Sequence, residues 1–218
     1  MTTATDHPLD AAMAVEGQVK RVEAELLFNL AKCVPADQVI VEIGSYRGRS
    51  SIALGLGSMH GCGARVFAID PHDPCVGERG GTFGPPDQAA RYRNMTDAGV
   101  GELVSVVCLR SSIVAAGWTE RNVGLLWLDG DHHYAGLKAD VDGWSGHLAD
   151  DALVAFHDDQ YPDVARLLDE LAGTGRMTFL GKVWAISYFR VGPGLPGHPR
   201  RTGDCPGGPG PTDGHSHA

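Results

Sequence analysis

Two short stretches of this sequence gather side chains that do chemistry. Asp129, Asp131, His132 and His133 follow the apolar run Gly124-Leu125-Leu126-Trp127-Leu128, and His157, Asp158 and Asp159 follow Ala152 to Phe156. Such runs read as buried strands, so both sets are expected at strand carboxyl ends, where open α/β sheets bind their ligands. Several carboxylates on one edge repel one another unless protons or a cation compensate them, and hard oxygen donors suit Mg²⁺ or another divalent ion. Aspartate is also favoured as a helix cap and in turns, so Asp129 and Asp158 can equally serve the backbone. Imidazoles beside these acids are matched to proton transfer near neutral pH, which makes His132, His133 and His157 candidate bases. His157 can instead be a satisfied structural histidine, and His133 can simply face solvent.

A third stretch, Val41-Glu42-Ile43-Gly44-Ser45-Tyr46-Arg47-Gly48-Arg49-Ser50, reads as a strand entering a glycine-bearing turn and then a helix. A turn of this kind lets a ligand approach the backbone at a strand's carboxyl end. Its spacing is close to the dinucleotide fingerprint but lacks the central glycine, and no phosphate-loop lysine follows, so a pyrophosphate ligand is disfavoured. An NAD-binding oxidoreductase is therefore the weaker alternative. Asp70 ends the run Arg65 to Ile69, roughly 20-odd residues beyond the turn, where a carboxylate can accept hydrogen bonds from ribose hydroxyls.

The elements that must position these groups alternate. Apolar runs at 39–44, 65–69, 103–108, 123–128 and 152–156 read as strands, interleaved with helical segments at 50–56, 88–98, 134–148 and 164–171. This order specifies a doubly wound α/β fold around a mostly parallel sheet. Two closely spaced runs, Met177 to Leu180 and Trp184 to Phe189, complete seven strands as an antiparallel C-terminal edge hairpin. Helical spacing of Leu9, Ala12, Val15, Val19, Val22, Leu26 and Leu30 gives one or two amphipathic helices ahead of the first strand. The expected organisation is thus an N-terminal helical segment (1–36), one ligand-binding domain (37–191) and a disordered tail rich in proline, glycine and histidine (192–218). The glycine-rich stretch 71–86 is too irregular for core structure and lies beside Asp70, which suits a mobile lid or an acceptor-recognition loop; disorder without function is an equal reading. Trp118, Trp144 and Trp184 read mainly as core, with Trp184 placed near an acceptor pocket.

With 218 residues and 43% hydrophobic content, the chain has enough apolar surface for one sizeable core. Its 27 acidic residues outnumber 18 scattered basic ones, so no footprint for nucleic acid or an anionic membrane is visible, and a small acceptor is the expectation. Five cysteines at irregular spacing suggest reduced thiols in the cytoplasm. The polar stretch Met1 to Pro8 lacks the features of a signal peptide, and no apolar run has a membrane-spanning length.

Together, the stretches 41–50, 128–136 and 154–159 resemble the class I S-adenosylmethionine-dependent methyltransferases, specifically the small-molecule O-methyltransferases of catechol, caffeoyl-CoA, macrolide and aminocoumarin-sugar type. The resemblance runs from about Val15 to Phe189. It implies that Glu42, Gly44 and Ser45 surround the amino-acid end of S-adenosylmethionine, that Asp70 takes the ribose hydroxyls, and that Ser111 and Ser112 lie near the adenine. Arg110 stands where the family often has an acid. The resemblance further implies a divalent ion, Mg²⁺ for instance, on Asp129, Asp158 and Asp159, although metal-independent members share the pattern. It places His132 where the catechol-type enzymes carry a catalytic lysine, making His132 the base beside Asp129. The implied partner is a small molecule bearing a hydroxyl, with no nucleic acid or membrane. A homo-oligomer through the N-terminal helix is left open. A passive ligand-binding domain is a third reading, against which the clustering of Asp129, His132, Asp158 and Asp159 argues.

Overall fold

The computed structural model describes residues 7–77, 81–120 and 122–192. In chain order the helices are α1 (Asp10–Ala14), α2 (Arg21–Lys32), α3 (Arg49–Met59), α4 (Pro85–Asp97), α5 (Ser111–Ala116), α6 (Tyr134–Ser145) and α7 (Pro162–Gly173). The strands are β1 (Val39–Ile43), β2 (Arg65–Ile69), β3 (Cys75–Val76), β4 (Thr82–Phe83), β5 (Val104–Val107), β6 (Val123–Leu128), β7 (Leu148–Phe156), β8 (Met177–Val183) and β9 (Ile186–Val191).

β1 and β6 are buried at every position, as expected of strands covered on both faces by helices. They form the centre of a seven-stranded sheet of order β5-β2-β1-β6-β7-β9-β8. Strands β5 to β7 run parallel, and β9 pairs antiparallel with both β7 and β8. The winding therefore reverses between β1 and β6, and the crevice of a doubly wound sheet opens at that point, beyond the strand carboxyl ends. One apolar layer joins α1, α2 and α3 to the sheet through residues such as Leu27, Leu30, Ile52 and Trp127. A second joins α6 and α7 to the other face through Leu126, Leu137, Trp144 and Leu167. The buried Trp144 indole donates to Ser111 Oγ at 2.8 Å, which ties α6 to the start of α5.

The seven strands and their hairpin follow the sequence pattern, with differences that have local causes. The N-terminal periodic run divides into α1 and α2 because Glu16-Gly17-Gln18 interrupts it. β7 begins at Leu148, not Ala152: Leu148 and Ala149 are buried, and the charged Asp150-Asp151 pair sits in the strand with Asp151 at φ +61°. The 71–86 stretch contains the β3–β4 hairpin, paired as Cys75 with Phe83 and Val76 with Thr82. Trp184 is at the β8–β9 turn with φ +54° and is 63% exposed, with Lys20 Nζ over its ring at 3.7 Å, so it packs outside the core and away from the main cavity. The expected tail lies outside the described residues, apart from Gly192. No described helix is long and apolar enough to cross a membrane.

Candidate active site

The glycine turn after β1 is built by a single carboxylate. Asp70 Oδ2 accepts the backbone N–H groups of Ser45 and Tyr46 at 3.0 and 2.9 Å, and Oδ1 accepts that of His72 at 2.9 Å. Nε2 of His72 lies 2.8 Å from the Tyr46 carbonyl, so the β1 and β2 loops are cross-linked twice. Tyr46 and His72 both adopt positive φ, 44° and 51°, a strain of about 1–3 kcal/mol each that persists only where surrounding bonds impose it. Gly44, at φ +85°, passes so close to β6 that a Cβ there would lie 2.2 Å from the Asp129 carbonyl oxygen. Ser45 Oγ accepts from the fully buried Arg91, and Ser51 Oγ donates to Glu42. Burial pushes the Glu42 carboxyl up to about 7, against the hydrogen bonds of Ser50 and Ser51.

Beyond the strand ends lies a cavity of about 880 Å³, large enough for a nucleoside cofactor together with a small acceptor. Among the expected site residues, Gly44, Ser45, Asp70, Ser111, Ser112 and Asp129 line it. Glu42 does not; its side chain is buried behind the turn against α3. A wall that sequence reasoning missed comes from Gly17, Gln18 and Val19. Arg49 clamps this α1–α2 connection, donating from Nε to the Val15 carbonyl at 2.8 Å and from Nη1 to the Val19 carbonyl at 2.7 Å. Arg47 adds an ion pair to Glu16 and another to Asp87 at 2.8 Å. The interruption of helical spacing at Gly17 was the available signal. On the opposite side Phe83 of the β3–β4 hairpin packs edge-on against Tyr46, and Asp73 holds Arg110 at 2.9 Å.

Asp129, His132 and Asp158 line one end of this cavity with His157 buried behind them, each of the four offering a ligand atom within 4.8 Å of all the others. His157 Nδ1 lies 2.9 Å from Asp129 and 3.5 Å from Asp158, and His132 Nε2 lies 3.7 and 3.4 Å from the same two residues. Burial opposes charge on both imidazoles, but the flanking acids outweigh it, raising His132 and pushing His157 up to about 12. Burial likewise opposes charge on the acids; the imidazoles outweigh it, lowering Asp129 and holding Asp158 at about 2. His132 also faces a smaller recess of about 250 Å³ formed with Tyr161, Pro162 and Asp163. His133 is turned outward, with Nδ1 paired to Asp131 at 2.8 Å.

Asp159 does not join the cluster. It is buried against Lys182 Nζ at 2.7 Å and Ser187 Oγ at 2.6 Å, because the hairpin β8–β9 folds over it. The three-carboxylate set that suits Mg²⁺ is thus not assembled: the donors that meet are two carboxylates and two imidazoles, a mixed nitrogen and oxygen set.

A family model described as a methyltransferase domain matches residues 41–158. Among solved structures, the O-methyltransferase NovP is 15% identical, with a TM-score of 0.64 over 81% of this chain and 83% of that one. A methyltransferase from Podospora anserina, solved with S-adenosylhomocysteine bound, is also 15% identical, with a TM-score of 0.61 over 84% and 86% of the two chains. A protein described as an rRNA methylase from Streptococcus thermophilus is 14% identical, with a TM-score of 0.54 over 81% and 99%. These likenesses establish the fold. Because they include an rRNA methylase, the acidic balance of this chain does not by itself exclude a nucleic-acid acceptor.

Proposed function

This chain belongs to the methyltransferase-domain family, whose model spans more than half of it, and from that premise we propose that it methylates a hydroxyl of a small molecule such as a sugar, a phenol or another natural-product scaffold. S-adenosylmethionine, when bound, supplies an activated methyl group on a sulfonium. The observation that carries the proposal is that His132 lines the same cavity as the glycine turn, between two acids and beside a separate recess that can admit an acceptor.

In this reading Gly44 and Ser45 border the amino-acid end of the cofactor, with the Gly44 carbonyl as an acceptor for its ammonium group. Asp70 keeps the turn in shape and offers its remaining acceptor capacity to the ribose, while Ser111 and Ser112 border the adenine. The clamped 15–19 connection and the β3–β4 hairpin border the cavity on either side of the glycine turn. His132 takes the acceptor's proton, and Asp129 and Asp158, which its buried Nε2 faces, stabilise the imidazolium that forms. Asp129 and Asp158 would also be the carboxylates to hold a divalent cation, which would supply Lewis acidity toward the acceptor hydroxyl. The enzyme's remaining contribution is alignment, since the acceptor oxygen, methyl carbon and sulfur must lie nearly in line.

The test is transfer of labelled methyl from S-adenosylmethionine to a panel of hydroxylated small molecules, with rRNA as a parallel acceptor. His132→Ala is expected to lower kcat by about a hundredfold or more while leaving S-adenosylhomocysteine affinity nearly unchanged. Labelling of rRNA alone, or an unchanged kcat in His132→Ala, contradicts the proposal.

A further inference from the structure

We propose that the acidic end of the cavity is a nitrogen-containing metal site, in which His157 joins Asp129 and Asp158, Glu23 orients His157, and the preferred ion is one that accepts imidazole, such as Zn²⁺, Fe²⁺ or Ni²⁺, over Mg²⁺. The inference rests on the methyl-transfer reading above and changes its metal clause.

Four observations carry it. First, His157 Nδ1 belongs to a side chain 4% exposed and makes no well-formed hydrogen bond among the described residues, yet it faces both acids, at 2.9 and 3.5 Å. A first-row ion with bonds of about 2.0–2.2 Å separates its donors by roughly 2.9 Å at right angles and 3.4 Å at tetrahedral ones, which is the spacing found here. Second, the opposite ring nitrogen, Nε2, lies 3.4 Å from Glu23 Oε1. Metal-bound histidines generally donate their second N–H to a carboxylate, which fixes the tautomer and the ring plane.

Third, Glu23 is built for that task. It comes from α2, is 1% exposed, and is held by the Lys20 N–H at 2.8 Å and the Ala185 N–H at 3.1 Å. Glu23 Oε2 closes the capping box at the start of α2, which fixes the carboxylate in place and leaves Oε1 facing the His157 ring. Fourth, Asp159, the oxygen donor that would favour Mg²⁺, is occupied by Lys182 and Ser187. Imidazole donors suit borderline transition ions, whereas Mg²⁺ takes oxygen ligands and keeps much of its water. His132, 21% exposed and on the cavity side, stays available to the acceptor.

The experiment is titration of the full chain with Co²⁺, read by visible d–d absorption, with Zn²⁺ and Mg²⁺ as competitors and S-adenosylhomocysteine binding measured on the same samples. One Co²⁺ per chain is expected, displaced by Zn²⁺ and not by excess Mg²⁺. Glu23→Gln should weaken Co²⁺ by about 10–100-fold, His157→Ala should weaken it further, and Asp159→Asn and His132→Ala should leave it nearly unchanged. Absence of Co²⁺ bands, equal competition by Mg²⁺, or loss of Co²⁺ in Asp159→Asn overturns the proposal, and the wild-type Mg²⁺ competition decides it even if a variant fails to fold. Retained S-adenosylhomocysteine binding in a chain that takes no metal removes this inference alone. Loss of that binding in the wild type removes the methyltransferase reading itself.

Discussion

Glu42 stands at the expected place, at the end of β1, with its side chain buried in the protein and outside the cavity lining. Its position at the end of β1 was legible from the run Val39 to Ile43, but alternation along a strand decides which face a side chain takes, and here it turns Glu42 toward Ser51 and away from the cavity. The consequence is a pH signature. Burial raises its folded value to about 7 from an ordinary 4.5, so the stability it contributes is full below the unfolded value and is lost as pH rises through 7. The difference corresponds to about 3 kcal/mol. We expect Glu42→Gln to flatten the fall in melting temperature between mildly acidic and mildly alkaline pH, and an unchanged slope in thermal unfolding would contradict the assignment. The acids around His132 were likewise legible from Asp129 and Asp158 at strand ends. The selection of His157 over Asp159 was not, because it depends on Lys182 and Ser187, which arrive from a distant hairpin.

Among the elements, those with continuous apolar runs or regular spacing read correctly from sequence and three short ones did not. β1, β2 and β6 declare themselves by continuous apolar runs, and the hairpin β8–β9 by its closely spaced β-rich segments. Helix α5, with six residues, and the two-residue strands β3 and β4 carry too few periodic positions to be seen. Their form is set by tertiary contacts such as Trp144 to Ser111 and Phe83 to Tyr46. The connection between α1 and α2 is the functional example, since its place over the cavity follows from two backbone carbonyls that Arg49 holds. Arg49→Ala removes two charge-assisted bonds, and we expect a stability loss of about 1.5–3 kcal/mol with faster hydrogen exchange over residues 15–19 and weaker S-adenosylhomocysteine binding. Unchanged exchange in that segment would show that the clamp does not hold it.

At the scale of the whole molecule, a single topological fact organises the function: the winding reverses between β1 and β6, so the glycine turn, Asp70 and the cluster around Asp129 open onto one crevice. A mostly parallel, doubly wound sheet could be anticipated from alternating apolar runs, because parallel pairing needs helical crossovers; the strand order itself could not. What the sequence did not show is that the crevice takes walls from the N-terminal connection and the β3–β4 hairpin as well as from strand ends. The central claim is that this crevice is a cofactor site for methyl transfer. Calorimetric titration of the full chain with S-adenosylmethionine, with NAD as the comparison, tests it most directly. The account predicts saturable binding of one S-adenosylmethionine per chain and none of NAD; heat with NAD and none with S-adenosylmethionine would contradict it.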